Sequence, residues 1–275
     1  MRIAGVADAR RDAGLLMAHV LGRDRSYILI HANDPLANEC VEPFRGMIAR
    51  RATGEPLQYI TGSQEFFNLN FEVTTDVLIP RPETELSVEV ALELLKDVPE
   101  PLIADIGTGS GCIVISLLHE LPRARAIAVD ISPAALRVAQ RNAERHGVTD
   151  RLTLIESDCF ATVEAPHQFS LIVSNPPYVA EAEIETLQRE VREHEPRVAL
   201  VCGLDGLAVI RRLLRDAPRF LRTGGHFIFE IGFGQSDLVK QIIEPRVWNL
   251  LEIRKDLQGI PRTVVLQKQR TVSAS

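Results

Sequence analysis

Four consecutive residues, Asn175-Pro176-Pro177-Tyr178, carry groups that suit the binding of a planar nitrogen group. Each proline fixes its own backbone φ angle and lacks an N–H donor, so the turn is rigid and rich in carbonyl acceptors. The side-chain amide of Asn175 adds an acceptor oxygen, and Tyr178 offers an aromatic face for stacking. The tetrad is therefore predicted to hold an –NH2 group by accepting both of its hydrogens. A stiff loop without a ligand is the weaker interpretation, because the tetrad directly follows a predicted strand at 169–174.

A glycine-rich loop follows the apolar segment 102–106 and precedes a helical pattern. It reads Gly107-Thr108-Gly109-Ser110-Gly111. Glycine lets the chain turn sharply and lets a ligand approach the backbone closely. The spacing differs from the Gly-x-Gly-x-x-Gly of dinucleotide sites, and no Gly-Lys-Ser/Thr of a phosphate-binding loop is present. Asp130 ends the next apolar segment, where a carboxylate accepts hydrogen bonds from ribose hydroxyls in doubly wound folds, so loop and acid together favour a nucleoside ligand over an empty β–α turn.

Two further candidate cofactor contacts follow the predicted strand at 152–156. Asp158 fits the edge of the same crevice, where an acid can meet the amino group of adenine. An exposed acid at a strand end is the competing interpretation. Cys159 is interpreted as a wall of the pocket and not as a nucleophile, because no base that could activate its thiol lies nearby in the sequence.

Together these residues favour methyl transfer from S-adenosylmethionine to an amide or amine nitrogen. An amide nitrogen is a poor nucleophile because its lone pair is delocalised, and acceptors that hold its hydrogens direct the lone pair at the methyl group. Bringing the reacting atoms to about 3–3.5 Å supplies much of the rate enhancement. The methyl carbon lies on a sulfonium, so neither a strong base nor a metal ion is required, and S-adenosylhomocysteine is the product. Asn175, Pro176 and Tyr178 are the predicted catalytic residues, and the whole tetrad is predicted to bind the substrate.

The order of the predicted elements indicates how these residues meet. Apolar segments typical of strands lie at 102–106, 125–130, 152–156, 169–174 and 226–231. Helical patterns lie at 83–97, 111–119, 133–146, 206–221 and 235–243. This alternation predicts a mostly parallel, doubly wound sheet of the α/β class, and two late segments at 248–254 and 262–268 predict an antiparallel pair at one edge. Ligands bind such sheets at the carboxyl ends of the strands, where the loop, Asp130, Asp158 and Asn175 are expected to gather.

Three regions are predicted along the chain. Residues 1–62 are expected to form a small helical bundle, with helices within 11–52 and linker-like residues at 53–62. Alternating apolar residues predict a β-hairpin that joins two domains at 63–79, and residues 80–275 form the methyltransferase domain. The tail at 271–275 is expected to be disordered.

The composition is that of an ordinary globular protein of 275 residues, with 45% hydrophobic and 25% charged residues. The net charge of −6 argues against a general polyanion binder, so no direct contact with nucleic acid is expected. The four cysteines are scattered and the seven histidines form no cluster, so neither disulfides nor a metal site are expected. No apolar run is long enough to span a membrane, and a cytoplasmic location is predicted.

The chain resembles a known family in several segments taken together. Asp105 through Gly111, followed later by Asn175 through Tyr178, resembles class I methyltransferases that act on exocyclic or amide nitrogen. Three further segments narrow the resemblance to the HemK/PrmC family of peptide chain release factor glutamine methyltransferases, and the resemblance covers about residues 11–268. These segments are Arg51 to Gly62, Leu78 to Glu85, and Glu195 to Leu207.

This resemblance implies a helical bundle that docks the substrate, a hairpin linker and a Rossmann-like domain with a seven-stranded sheet. It implies that the substrate is the glutamine of the Gly-Gly-Gln motif in release factors, and that the loop 107–111, Asp130, Cys159 and Asn175 contact the cofactor. Arg81 and Glu83 either shape the site or form a structural ion pair. The chain begins later than is usual in the family, so most of the first helix of the bundle is expected to be missing. Cys159 stands where a bulkier side chain is common, and a thinner wall of the adenine pocket is expected.

Two other functions are weighed against this one. A DNA or RNA adenine-N6 methyltransferase would use the same tetrad on an exocyclic amine, but it has to flip a base and bind phosphates, which the acidic average and the lack of a separate basic domain disfavour. A non-catalytic protein that retains the fold would bind the cofactor without turnover, and the intact tetrad counts against it.

Overall fold

The computed structural model describes residues 6, 8–164 and 168–269, and the chain forms two compact units. The first unit comprises Met1–Ser63 and Leu187–His194, and the second comprises Gln64–Thr186 and Glu195–Ser275. The chain thus enters the first unit a second time, for the short segment 187–194, which the sequence did not predict. The tail at 271–275 that was predicted to be disordered lies outside the described residues.

The helices in the described part of the chain are, in order, α1 (Ala9–Leu21), α2 (Arg25–Ile30), α3 (Asn38–Ala52), α4 (Leu57–Thr61), α5 (Glu85–Leu95), α6 (Cys112–Glu120), α7 (Pro133–Arg145), α8 (Arg189–His194), α9 (Ala208–Asp216) and α10 (Ser236–Ile242). The strands there are β1 (Ser63–Phe66), β2 (Leu69–Glu72), β3 (Leu102–Ile106), β4 (Arg125–Asp130), β5 (Leu152–Glu156), β6 (Phe169–Ser174), β7 (Leu221–Glu230), β8 (Trp248–Lys255) and β9 (Pro261–Lys268). None of the described helices has the length and apolar character that crossing a bilayer requires.

The first unit consists of α1 to α4 together with α8. Arg51 of α3 ties it together, because its guanidinium bonds the Asp12 carboxylate at 2.8 Å and the Glu190 carboxylate of α8 at 2.8 Å. The Arg51 side chain is only 12% exposed, so these ion pairs are screened less than surface pairs. Residues 53–62, predicted as a linker, contain α4 instead: Gly62 ends that helix with a left-handed φ of 71°.

The hairpin β1–β2 packs into the core of the second unit. Its turn residues Phe67 and Asn68 both have positive φ angles, 49° and 59°, as a two-residue hairpin turn requires. Phe66 and Phe71 flank the turn and are almost completely buried in that core. The strands end at Glu72, so only the first part of the predicted 63–79 segment is a hairpin.

The second unit is built on one seven-stranded sheet with the order β5-β4-β3-β6-β7-β9-β8. The pairs from β5 to β7 are parallel, whereas β9 runs antiparallel to both β7 and β8. The predicted mostly parallel sheet with an antiparallel edge is therefore confirmed. Every residue of β6 is buried, because helices cover both faces of a doubly wound sheet.

The order of the strands places a crevice at the centre of the sheet. From β3 the chain winds outward through β4 and β5, and it then returns to β6 on the other side of β3. Such a change of direction leaves a crevice at the carboxyl ends of the two central strands. The loop 107–111 leaves β3 at this point, and Asn175 leaves β6 there.

Candidate active site

A cavity of about 270 Å³ lies at this crevice, within the second unit. Ten of the predicted site residues line it, namely Gly107, Thr108, Gly109, Ser110, Asp130, Asp158, Cys159, Asn175, Pro176 and Pro177. Gly111 and Tyr178 are not among its lining residues. The fold thus gathers residues from the ends of four strands around one space.

The glycine loop is held by main-chain bonds to the neighbouring strand. The N–H groups of Gly107 and Thr108 both donate to the Val129 carbonyl at 2.9 Å. Gly107 and Gly109 have φ angles of 76° and 56°, and a Cβ on either would meet no atom within 4 Å, so open space adjoins their backbone. A Cβ on Gly111 would instead lie 2.7 Å from a side-chain carbon of Ile115. The first two glycines therefore leave room for a ligand, whereas the third allows the helix to pack.

Asp130 joins the glycine loop to the start of α7. One carboxylate oxygen accepts from the Gly109 N–H at 2.8 Å, and the other accepts from the Ser132 N–H at 2.9 Å. Burial raises the pKa of Asp130, and these two N–H groups oppose that shift. Ser132 itself caps α7 by accepting from the Ala135 N–H, so Asp130 is not the helix cap. Each of its oxygens keeps a second lone pair for a hydroxyl donor.

Asp158 and Cys159 form another part of the cavity wall. The Asp158 side chain is half exposed, and both of its oxygens lie 2.7 Å from Nη1 of Arg212. Burial raises the pKa of the Cys159 thiol to about 11, so the thiol stays protonated at neutral pH. Cys159 also adopts a positive φ of 52°, which is uncommon for a residue with a Cβ.

The Asn-Pro-Pro-Tyr turn is held by side chains that come from other elements. The Nδ2 of Asn175 donates to the Thr84 hydroxyl oxygen at 3.1 Å, and that hydroxyl donates to the Glu230 carboxylate at 2.6 Å. The Tyr178 hydroxyl lies near the same carboxylate. The main-chain carbonyl of Tyr178 accepts from Nε2 of Gln235 at 3.0 Å. Both ends of the turn are therefore fixed.

Glu230 is the buried acid at the centre of this arrangement, with a relative exposure of 1%. Burial raises its pKa, whereas the bond from Thr84 and the positive charge of Arg262 oppose that shift. Because buried carboxylates are costly unless they are hydrogen-bonded, the bond from the Thr84 hydroxyl helps to account for its presence in the core.

A second ion pair shapes the wall of the cavity. Arg81 bonds Glu195 at 2.5 Å, and the side chain of Glu195 is 1% exposed. Glu195 also accepts from the Ile79 N–H at 3.2 Å. Arg81, which lines the cavity, is thereby anchored to the residue just before Pro196, which lines it too. Arg81 thus pairs with Glu195 and not with Glu83, the partner that the sequence had offered.

Asp105 lies beneath the loop and is fully buried. It accepts from the Thr108 hydroxyl at 2.7 Å, and its other oxygen, Oδ1, has no hydrogen-bond partner among the described residues. Burial, aided by the nearby Asp130 carboxylate, raises the pKa of Asp105 to about 7. In the described part of the chain, no group of three or more His, Cys, Asp or Glu side chains is placed to hold a metal ion.

The chain is similar to known proteins over nearly its whole length. The PrmC N-terminal domain model matches residues 2–62, and the methyltransferase small domain model matches residues 84–195. The release factor glutamine methyltransferase of Geobacter sulfurreducens is 44% identical over 261 residues, which cover 94% of this chain and 90% of the relative. The protein of the same name from Koribacter versatilis is 42% identical over 98% of this chain and 94% of its own. The chain belongs to the release factor glutamine methyltransferase family.

Solved structures confirm the methyltransferase fold. The catalytic domain of hMettl16, determined in complex with MAT2A 3′UTR hairpin 6, superposes with a TM-score of 0.59 at 16% identity, covering 83% of this chain and 82% of that one. At this level of identity the likeness concerns the fold alone. It agrees with the class I architecture that the sequence predicted.

Sequence reasoning missed several residues that hold the site of this methyltransferase together. Thr84 and Glu230 support Asn175, and the buried amide of Asn142 bonds both the Ser110 carbonyl, at 2.9 Å, and the main chain of Glu72 in the hairpin. Glu230 offered one signal, because it is an acid at the end of an apolar strand, as Asp130 is. Thr84 and Asn142 offered none, since a threonine or asparagine within a helical pattern is ordinary.

Proposed function

We propose that this methyltransferase transfers the methyl group of S-adenosylmethionine to the side-chain amide nitrogen of the glutamine in the Gly-Gly-Gln motif of peptide chain release factors. One observation carries the proposal: Asn175, Pro176 and Pro177 line the same cavity as the glycine loop and Asp130. A planar amide and a nucleoside methyl donor can therefore lie next to each other. The names of the curated relatives support this substrate.

The residues around the cavity fit the cofactor. The open space over Gly107 and Gly109 admits a ligand against the backbone, and Asp130 has lone pairs left for the ribose hydroxyls. We assign contacts with adenine to Asp158 and Cys159, and further contacts with the cofactor to Thr108, Ser110 and Asn175. Gly111 contributes through the shape of the loop, because it does not line the cavity. The sulfonium of the cofactor supplies an activated methyl group.

The proposed acceptor pocket is the tetrad itself. Oδ1 of Asn175 and the main-chain carbonyl of Pro176 accept the two hydrogens of the glutamine amide, which turns the nitrogen lone pair toward the methyl group. Pro177 keeps the turn rigid. The hydroxyl of Tyr178 lies near the buried Glu230 carboxylate, and we assign the contact with the substrate to the ring.

The first unit has a proposed role in docking. We assign it the binding of the release factor, which matches the family model over residues 2–62. Release factors act in translation termination, and the proposed reaction accordingly takes place in the cytoplasm. Methylation of adenine-N6 in nucleic acid is not favoured, because the relatives of high coverage carry the release factor name.

Mass spectrometry of a purified release factor incubated with the protein and S-adenosylmethionine tests the proposal. The expected result is a gain of one methyl group on the Gly-Gly-Gln glutamine, which Asn175→Ala strongly slows. Asn249→Ala replaces an exposed asparagine of β8 outside the cavity lining and serves as the matched control. Methylation of adenine in added nucleic acid, with the release factor unchanged, would contradict the proposal.

A further inference from the structure

We infer that Thr84 and Glu230 are positioning residues that orient the Asn175 amide, so that its oxygen and not its nitrogen is free for the substrate. The inference rests on the proposed function for the role of that oxygen. The orientation itself rests on the hydrogen bonds around Thr84.

The argument begins with the single proton of the Thr84 hydroxyl. It lies 2.6 Å from a Glu230 carboxylate oxygen, and a bond from a hydroxyl to a carboxylate is short and strong. The proton is therefore committed to Glu230. The Thr84 oxygen can then act only as an acceptor toward its other neighbour, Asn175.

This polarity decides which end of the Asn175 amide faces Thr84. The nitrogen lies there, at 3.1 Å, and donates. The flipped amide would set its oxygen against the Thr84 oxygen, with no proton between them. In the described part of the chain, the Thr84 bond is the one hydrogen bond recorded for the Asn175 side chain, so Oδ1 keeps its acceptor capacity.

Glu230 is the acceptor that fixes the direction of the Thr84 hydroxyl, and the Tyr178 hydroxyl lies near the same buried carboxylate. A carboxylate only accepts, whereas a carboxamide accepts at its oxygen and donates at its nitrogen. In Glu230→Gln the Thr84 hydroxyl keeps its present direction only when the amide oxygen faces it.

Thr84 and Glu230 also join the start of α5 to β7, and a purely structural role is the competing explanation. The two roles differ in how Thr84 depends on Asn175. If Thr84 acts through Asn175, the removal of its hydroxyl matters for turnover only while Asn175 is present. A structural role would lower turnover in either background.

The experiment is a double-mutant cycle in single-turnover methylation of the release factor at saturating S-adenosylmethionine. Thr84→Val removes the hydroxyl at nearly constant shape and is expected to slow methyl transfer about tenfold or more, since it leaves a buried acceptor unsatisfied. Thr84→Ser keeps the hydroxyl and is expected to restore most of the lost rate.

In the Asn175→Ala background, Thr84→Val is expected to have no further effect on the rate of methyl transfer. Thr153→Val, an exposed substitution on β5, is the matched control. Multiplicative effects of Thr84→Val and Asn175→Ala would overturn the inference.

A second readout requires no release factor. The NH2 resonance of Asn175 is assigned in a nitrogen-labelled sample through its loss in Asn175→Ala. We expect Thr84→Val to shift this resonance and to speed its exchange with solvent, and Thr84→Ser to restore both. An unchanged resonance in Thr84→Val would overturn the inference even where methylation is observed. A shifted resonance in a protein that fails to methylate the release factor would refute the proposed function and leave the orientation of Asn175 intact.

Discussion

The glycine loop and the Asn-Pro-Pro-Tyr turn lie on neighbouring strands, yet they are held in different ways. The loop bonds mainly to the end of the next strand, at the carbonyl of Val129 and the carboxylate of Asp130. The turn is held by side chains of Thr84, Glu230 and Gln235, which are distant from it in the sequence. Thr84 lies 91 residues before Asn175, and Gln235 lies 57 residues after Tyr178. The loop is thus encoded locally, whereas the turn depends on the completed fold. Changes around the turn should therefore cost both stability and turnover, and changes in the loop should act first on cofactor binding.

The largest effect is expected at Gly206, which lies outside the turn and packs against the main chain of Tyr178. A Cβ there would lie 2.1 Å from the Tyr178 carbonyl oxygen, and the φ of Gly206 is 70°. We expect Gly206→Ala to lower the free energy of unfolding by about 3 kcal/mol or more, because it combines overpacking with a strained backbone, and to slow methyl transfer by moving Tyr178.

Gly203→Ala is the control for this prediction. Gly203 has a similar φ of 66°, but its Cβ would only touch Ala208 at 3.4 Å. Denaturant unfolding should show a cost of about 1–2 kcal/mol, that of the backbone conformation alone. Equal losses in the two variants would mean that the contact with Tyr178 is unimportant.

The second prediction concerns the loop. Asp130→Ala removes the acceptor of the Gly109 N–H and the proposed partner of the ribose, so we expect the Kd for S-adenosylmethionine to rise by about 10- to 100-fold, the equivalent of about 1.5–3 kcal/mol. Calorimetric titration measures it. Asp158→Ala serves as the comparison, and we expect a smaller rise, because its carboxylate is half exposed and already paired with Arg212. A larger rise in Kd for Asp158→Ala than for Asp130→Ala would mean that Asp158 contributes more to cofactor binding.

The difference between local and long-range contacts also explains which features could be predicted from the sequence. The parallel strands and the helices between them have strong apolar patterns over short windows, and the loop and its acid follow from spacing alone. The bond between Thr84 and Glu230 joins residues 146 apart, and no local pattern specifies it. No element was predicted for residues 179–205, because they contain only two short 3-10 turns, the six-residue helix α8 and one isolated bridge from Val179 to Val201. The helix α4 was missed because Gly54, Pro56 and Gly62 resemble the punctuation of a linker.

The last prediction is a pH dependence of stability that belongs to the loop. Burial raises the pKa of Asp105 to about 7, compared with an ordinary value of 3.8. Between these values the folded protein binds one proton more than the unfolded chain does. The free energy of unfolding should therefore fall as the pH rises from about 4 to about 7, with a slope of at most about 1.4 kcal/mol per pH unit, and it should level off above that.

Asp105→Asn isolates this contribution, because asparagine can still accept from Thr108 and carries no titratable proton. Denaturant unfolding of the ligand-free protein should show that the stability of the wild type relative to Asp105→Asn declines across this interval. Asp237→Asn, at an exposed position of α10, should leave the slope of the wild type unchanged. An equal slope in the wild type and Asp105→Asn would mean that Asp105 is ionised in the folded protein despite its burial, and that the unpaired Oδ1 is compensated by a group from outside the chain. The glycine loop would then depend on a group beyond the strand ends that hold it. It would differ less from the Asn-Pro-Pro-Tyr turn, which distant side chains hold.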